Sequence, residues 1–110
     1  MSDGTTRIEA IFARHAEARR QKALPEVRRA LAELHARGVE VGVVGSLANG
    51  TFIKHSDVDF MIKDFGDMTE SAAVRVIFDC VRSVPVDVVL MRRVTPAFLD
   101  DLLADYTTEI

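Results

Sequence analysis

Residues 45–60 read GSLANGTFIKHSDVDF, a Gly-Ser turn after an apolar strand followed by an Asp-x-Asp pair. Gly45 lets a backbone approach a phosphate without a Cβ clash, and Ser46 adds a hydroxyl. Amides at the start of a short helix after Ser46 can face an anion, and Gly50 lets the chain turn out again. Asp57 and Asp59 sit two apart in an apolar stretch, so an extended chain puts them on one face, about 6–7 Å apart along the strand. Two like charges this close call for a cation, and carboxylates with phosphate oxygens are the usual ligand set of Mg²⁺. Asp87, in PVDVVLM, is a third acid inside an apolar run, costly unless paired, exposed at an edge or metal-bound. If its strand neighbours that of Asp59, three carboxylates meet, and two metal ions could serve an in-line displacement on a nucleoside triphosphate.

The elements that must position these residues follow from periodicity. Ile8, Ile11, Phe12 and Ala16 predict a helix over about residues 5–22. Pro25 suits the first turn of a second helix, with Leu24, Val27, Leu31 and Leu34 on one stripe and Gly38 as its stop. Residues 39–45 and 57–63 read as strands. Thr69 caps a helix running to about Ser83, with Val74, Ile77, Phe78 and Val81 inward. Pro85 opens a third strand. Thr95 caps a last helix with Pro96 at its first position, and Phe98, Leu99, Leu102 and Leu103 pack. The expected fold class is α+β, a short mixed sheet of at least three strands packed against helices. One domain over 1–110 is expected, with N-terminal helices in 1–38 and the catalytic core in 39–110.

Composition narrows the function. Among 110 residues, 48% are hydrophobic and 28% charged, which fits a folded core. No apolar run approaches the ~20 residues of a membrane span, and the start shows no signal-peptide pattern. Cys80 is the one cysteine, read as a buried inert thiol, and a cytoplasmic location fits. Residues 1–38 carry eight Lys/Arg against five Asp/Glu, net +3, and residues 39–110 carry six against twelve, net −6. The acidic body argues against direct nucleic-acid binding. Thr51 stands where a Walker loop needs lysine, and Met61 and Lys63 break a calcium-loop series.

Gly45, Ser46, Gly50, Ser56, Asp57, Asp59 and Asp87 together resemble the signature of the DNA polymerase beta-like nucleotidyltransferase superfamily. The chain looks most like its minimal nucleotidyltransferases, the small members often encoded beside a helical HEPN-domain protein. The resemblance implies that Asp57, Asp59 and Asp87 are catalytic and bind Mg²⁺, two ions in all. It implies that Gly45, Ser46, Gly50 and Ser56 bind the nucleotide, with ATP as substrate. It further implies an antitoxin that transfers AMP to a Tyr or Ser hydroxyl of a HEPN-type toxin ribonuclease, its partner in a hetero-oligomer. The alternatives are a nucleotidyltransferase acting on a small molecule such as an aminoglycoside, and a binding antitoxin without catalysis. Many minimal members carry Arg where this chain has Asn49; Lys54, Arg92 and Arg93 are candidates to replace its charge, and His55 lies beside the motif. His15 and His35 receive no role.

Overall fold

The computed structural model describes residues 7–53 and 56–110; Lys54 and His55, and the start of the expected first helix, lie outside the described residues. The elements run α1 (Arg7–His35), β1 (Glu40–Val44), α2 (Ser46–Asn49), β2 (Val58–Asp64), α3 (Glu70–Cys80), β3 (Val86–Leu90), a 3₁₀ turn (Met91–Arg93) and α4 (Pro96–Asp105). The sheet order is β1-β2-β3, antiparallel on one side of β2 and parallel on the other. It is therefore the expected α+β arrangement with a short mixed sheet.

The pattern of burial explains the layering. Val41, Val43, Val58, Phe60 and Ile62 are buried on one face of the sheet and share a core with α1 and α3. From α1 this core takes Ala23, Leu24, Val27, Ala30, Leu31 and Leu34, and from α3 Ala73 and Ile77. The opposite face carries Gly42, Met61 and Lys63. There Tyr106, just after α4, lies so close to Gly42 that a Cβ would come 2.6 Å from its ring. Lys63 Nζ sits 3.8 Å from the centre of the same ring, a cation–π contact. Thr107 then pairs with Val43 at the outer edge of β1, exchanging backbone bonds of 2.8 and 3.0 Å.

The N-terminal region differs from the sequence expectation. The two expected helices are one helix of 29 residues, with Pro25 in its interior. An interior proline costs about 3 kcal/mol relative to alanine. Each fully buried Leu or Val returns about 1.5–3 kcal/mol, and the buried stripe runs without a break from Ala23 to Leu34 on both sides of the proline. Packing therefore overrides the local signal. His35 also has a part: its Nε2 donates to the Val41 carbonyl at 2.8 Å, tying the helix end to β1.

Smaller differences concern helix ends and faces. α3 stops at Cys80, capped by Thr69 as expected through a bond from the Ala72 amide. Phe78, Phe98 and Leu103, expected to pack, are exposed, and no residue of α4 is fully buried. The Thr95 side chain makes no capping bond. Cys80 is partly exposed; burial first, then Glu33, which accepts from its thiol, push that thiol above its ordinary value and keep it unreactive. Among the described residues no helix is long and apolar enough to cross a membrane.

The continuous helix makes a specific prediction. Pro25→Ala restores the bond to the Gln21 carbonyl, so stability should rise by about 1–3 kcal/mol. Were Pro25 the first residue of a separate helix, the change would be near neutral. Urea unfolding followed by circular dichroism separates the two outcomes.

Candidate active site

β2 is held still by the buried Val58, Phe60 and Ile62, and this fixes Asp59 on the opposite face at the start of the strand. Its register partners are Val44 of β1 and Asp87 of β3. The parallel pairing of β2 and β3 thus sets two carboxylates side by side on neighbouring strands. Asp57, expected as the first residue of this strand, lies one residue before β2 rather than within it. Asp57 and Asp87 are exposed and Asp59 is half-buried. Burial, then the negative charges of Asp87 and Asp57, push the Asp59 carboxyl above its ordinary value. Asp57 and Asp87 therefore both act electrostatically on Asp59.

The Gly-Ser turn meets this group directly. Gly45 has φ 75° and ψ −151°, a conformation essentially reserved for glycine. A Cβ there would lie 2.5 Å from Asp59 Oδ2. The turn is thus pressed against the central carboxylate, with room for backbone only. Ser46 begins α2, whose Leu47 is buried in the core and pins the turn to the sheet. Gly50 closes α2 in the left-handed conformation, its amide donating to the Ser46 carbonyl. Ser56 is half-buried, and its hydroxyl accepts from the Ile53 amide at 2.8 Å, closing the bend that leads to Asp57.

Other residues around the loop hold its shape. Asn49 Oδ1 accepts from the Thr51 amide at 3.0 Å and from the Thr51 hydroxyl at 2.5 Å. Its Nδ2 donates to Asp105 Oδ2 at the end of α4, at 3.2 Å. The Asn-Gly-Thr run carries the signal for this turn. Arg19 of α1 donates to the Ser56 carbonyl at 3.4 Å and lies 5.7 Å from the Phe52 ring centre. No spacing rule ties residue 19 to residue 56. Arg92 and Arg93 do not replace the charge absent at Asn49. Both pair with Glu70, beyond the end of β3 at Leu90, itself about 10 Å along the strand from Asp87.

The donor set fits a divalent cation. Carboxylate oxygens are its hard ligands, and the Gly45 backbone packs directly against one oxygen of Asp59. Among the described residues no group of three or more Asp, Glu, His or Cys side chains stands close enough to hold a metal ion, so Asp57, Asp59 and Asp87 do not form the expected three-carboxylate metal site by themselves. Mg²⁺ does not require one, since it is commonly held by one or two carboxylates together with substrate phosphates and water.

A family model described as nucleotidyltransferase domain matches residues 24–106. No curated protein and no solved structure matches the chain. The match spans most of the chain, from the buried half of α1 to Tyr106, so the chain belongs to the nucleotidyltransferase domain family.

Two outcomes are expected of the site. Gly45→Ala should lose about 1–3 kcal/mol of stability through its strained φ and displace the Asp59 carboxylate. Chemical unfolding and the NMR shift of the Asp59 carboxyl carbon check this. The Asp59 value is raised in the folded state, so its ionisation opposes folding at neutral pH, and the cost disappears as pH falls below the ordinary carboxylate range. Without divalent cations, Asp59→Asn should therefore raise Tm at pH 7 by at most a few degrees, ~1 kcal/mol corresponding to about 4–8 °C in a domain of this size. The difference should close towards pH 3; calorimetric scans across pH read it.

Proposed function

We propose that this nucleotidyltransferase domain transfers AMP from ATP to a hydroxyl on a protein, with Mg²⁺ as cofactor. The acceptor would be a Tyr or Ser of a HEPN-type toxin ribonuclease, which the modification silences. The observation that carries the nucleotidyl-transfer chemistry is the contact of Gly45 with Asp59, beside the Asp59–Asp87 register pair. It brings the Gly-Ser turn against a carboxylate whose register partner on the next strand is another carboxylate. The exposure of Asp57 and Asp87 suits an acceptor carried on a large molecule, because the rim is open to a docking surface. The antitoxin assignment draws on the resemblance to the minimal nucleotidyltransferases, and a hetero-oligomer with the toxin belongs to the same proposal.

In this reading Asp57 and Asp59 would hold the cation, and Asp87 would complete a second site. The cation supplies charge neutralisation of the phosphate oxygens. Gly45 and Ser46 hold the β- and γ-phosphates, while Gly50 and Ser56 keep the loop in place around the nucleotide. The acceptor oxygen forms a bond to the α-phosphorus as the bond to the bridging oxygen breaks, and pyrophosphate leaves. Asp87 takes the hydroxyl proton. Most of the rate enhancement comes from positioning and charge stabilisation.

The test uses the purified chain with Mg²⁺, ATP and the product of the adjacent open reading frame, followed by intact mass measurement. An adenylyl-sized increment on the partner is expected. Asp59→Asn should lower the rate by at least about a hundredfold, the scale of several kcal/mol of lost charge stabilisation. A stable complex without any increment would identify an antitoxin that acts by binding. Modification of an aminoglycoside with no partner present would move the function to small-molecule transfer.

A further inference from the structure

Glu26 lies on α1, far in sequence from the three aspartates. Its Oε1 accepts three hydrogen bonds from the turn after α3: from the Arg82 amide at 3.3 Å, the Ser83 amide at 3.0 Å and the Ser83 hydroxyl at 2.6 Å. Burial works to raise its carboxyl. The bonds from Ser83 and Arg82, with the charge of Lys22, outweigh that and hold it below its ordinary value. Glu26 is thus ionised and engaged throughout the neutral range.

The turn it holds leads straight into the site. Val84 is buried, and the next residue, Pro85, accepts at its carbonyl from the Val58 amide at 3.0 Å. Val58 is the residue between Asp57 and Asp59. One step further on, Val86 pairs with Val58 and Asp87 with Asp59. A continuous backbone path therefore runs from the Glu26 carboxylate to the bond that sets β3 against β2. Proline has no amide to add a bond of its own, so at the entry to β3 it is the Pro85 carbonyl that begins the ladder continued by Val86 to Leu90.

We propose that Glu26 is a positioning residue for the carboxylate site: by holding the Arg82–Ser83 turn it fixes where Asp87 stands beside Asp59, and so the affinity of the site for a divalent cation. The proposal rests on the reading of Asp57, Asp59 and Asp87 as cation ligands.

The test is calorimetric titration of the full chain with Mn²⁺, joined to amide hydrogen exchange at Val58 and at Val43. The Val43 amide, bonded to Thr107 at the other edge of the sheet, reports overall stability. Wild type should bind Mn²⁺ and Asp59→Asn should not. Glu26→Ala should weaken binding about tenfold, Ser83→Ala about threefold, and Glu26→Gln, which keeps the Oε1 acceptor, by no more than about twofold, within or below the range for outer-shell partners. In Glu26→Ala, exchange at Val58 should rise relative to Val43. If that variant does not fold, Ser83→Ala and Glu26→Gln carry the comparison. Unchanged Mn²⁺ affinity, or Val58 and Val43 exchange rising in parallel, overturns the proposal. A wild-type chain that binds Mn²⁺ yet transfers no nucleotide overturns the proposed function, and the affinity series still decides the role of Glu26. If wild type binds no Mn²⁺, the cation reading and its affinity consequence fall together.

Discussion

Three negative charges gathered at the start of two neighbouring strands are the constraint around which this domain is organised. Asp59 and Asp87 are register partners, and Asp57 lies two residues before Asp59. Left to themselves the three would move apart; burial first, and then the charges of Asp87 and Asp57, raise the Asp59 carboxyl. What prevents separation is the apolar side of the same strand. Val58, Phe60 and Ile62 are fully buried and alternate with the acids. Each buried apolar side chain contributes about 1.5–3 kcal/mol, while charges near a surface repel by only about 1 kcal/mol in water at 4 Å, rising to ~4 where partly shielded from it. The core is therefore strong enough to hold the acids together with no cation present.

Burial alone does not place loops, and here polar contacts take over. The backbone before Asp57 is met by Arg19 and the turn before β3 by Glu26, both from α1 and seven positions apart. Seven residues are close to two helical turns, so the two side chains leave the helix on nearly the same side. A helix broken at Pro25 would have no fixed relation between them. The unbroken α1 thus meets both loops as well as packing on the sheet, and the cost of its interior proline is set against both.

The alternation in residues 57–62 was legible because strand periodicity is two, and the same rule placed Asp59 opposite the core before any pairing was known. The Gly45 turn was legible for a similar reason: a strand ending in glycine with another glycine shortly after has few backbone solutions. The pairing partner of PVDVVLM was not, since one apolar strand reads like another and the parallel register is decided by tertiary contacts. Pro25 misled because it is a genuine first-turn signal that the stripe from Ala23 to Leu34 overrode. Phe78 and Phe98 have helical spacing yet are exposed, since periodicity marks a face without saying how far the neighbouring layer extends. Arg19 and Glu26 left no trace in the sequence, because a long-range hydrogen bond has no spacing.

Asn49 shows how a departure from a family pattern can be read physically. Its carbonyl oxygen accepts two bonds from Thr51 while its amide donates to Asp105. Arginine carries donors alone, so it could reach Asp105 but could not accept from Thr51. The loop in this chain is closed through an acceptor that the charged residue lacks. Asn49 is therefore a component of the loop's own fold, tying the turn beside Asp59 to the end of α4. Under the proposed function, a charge that holds a triphosphate would come from elsewhere than Asn49: Arg92 and Arg93 are engaged with Glu70, and Lys54 lies outside the described residues.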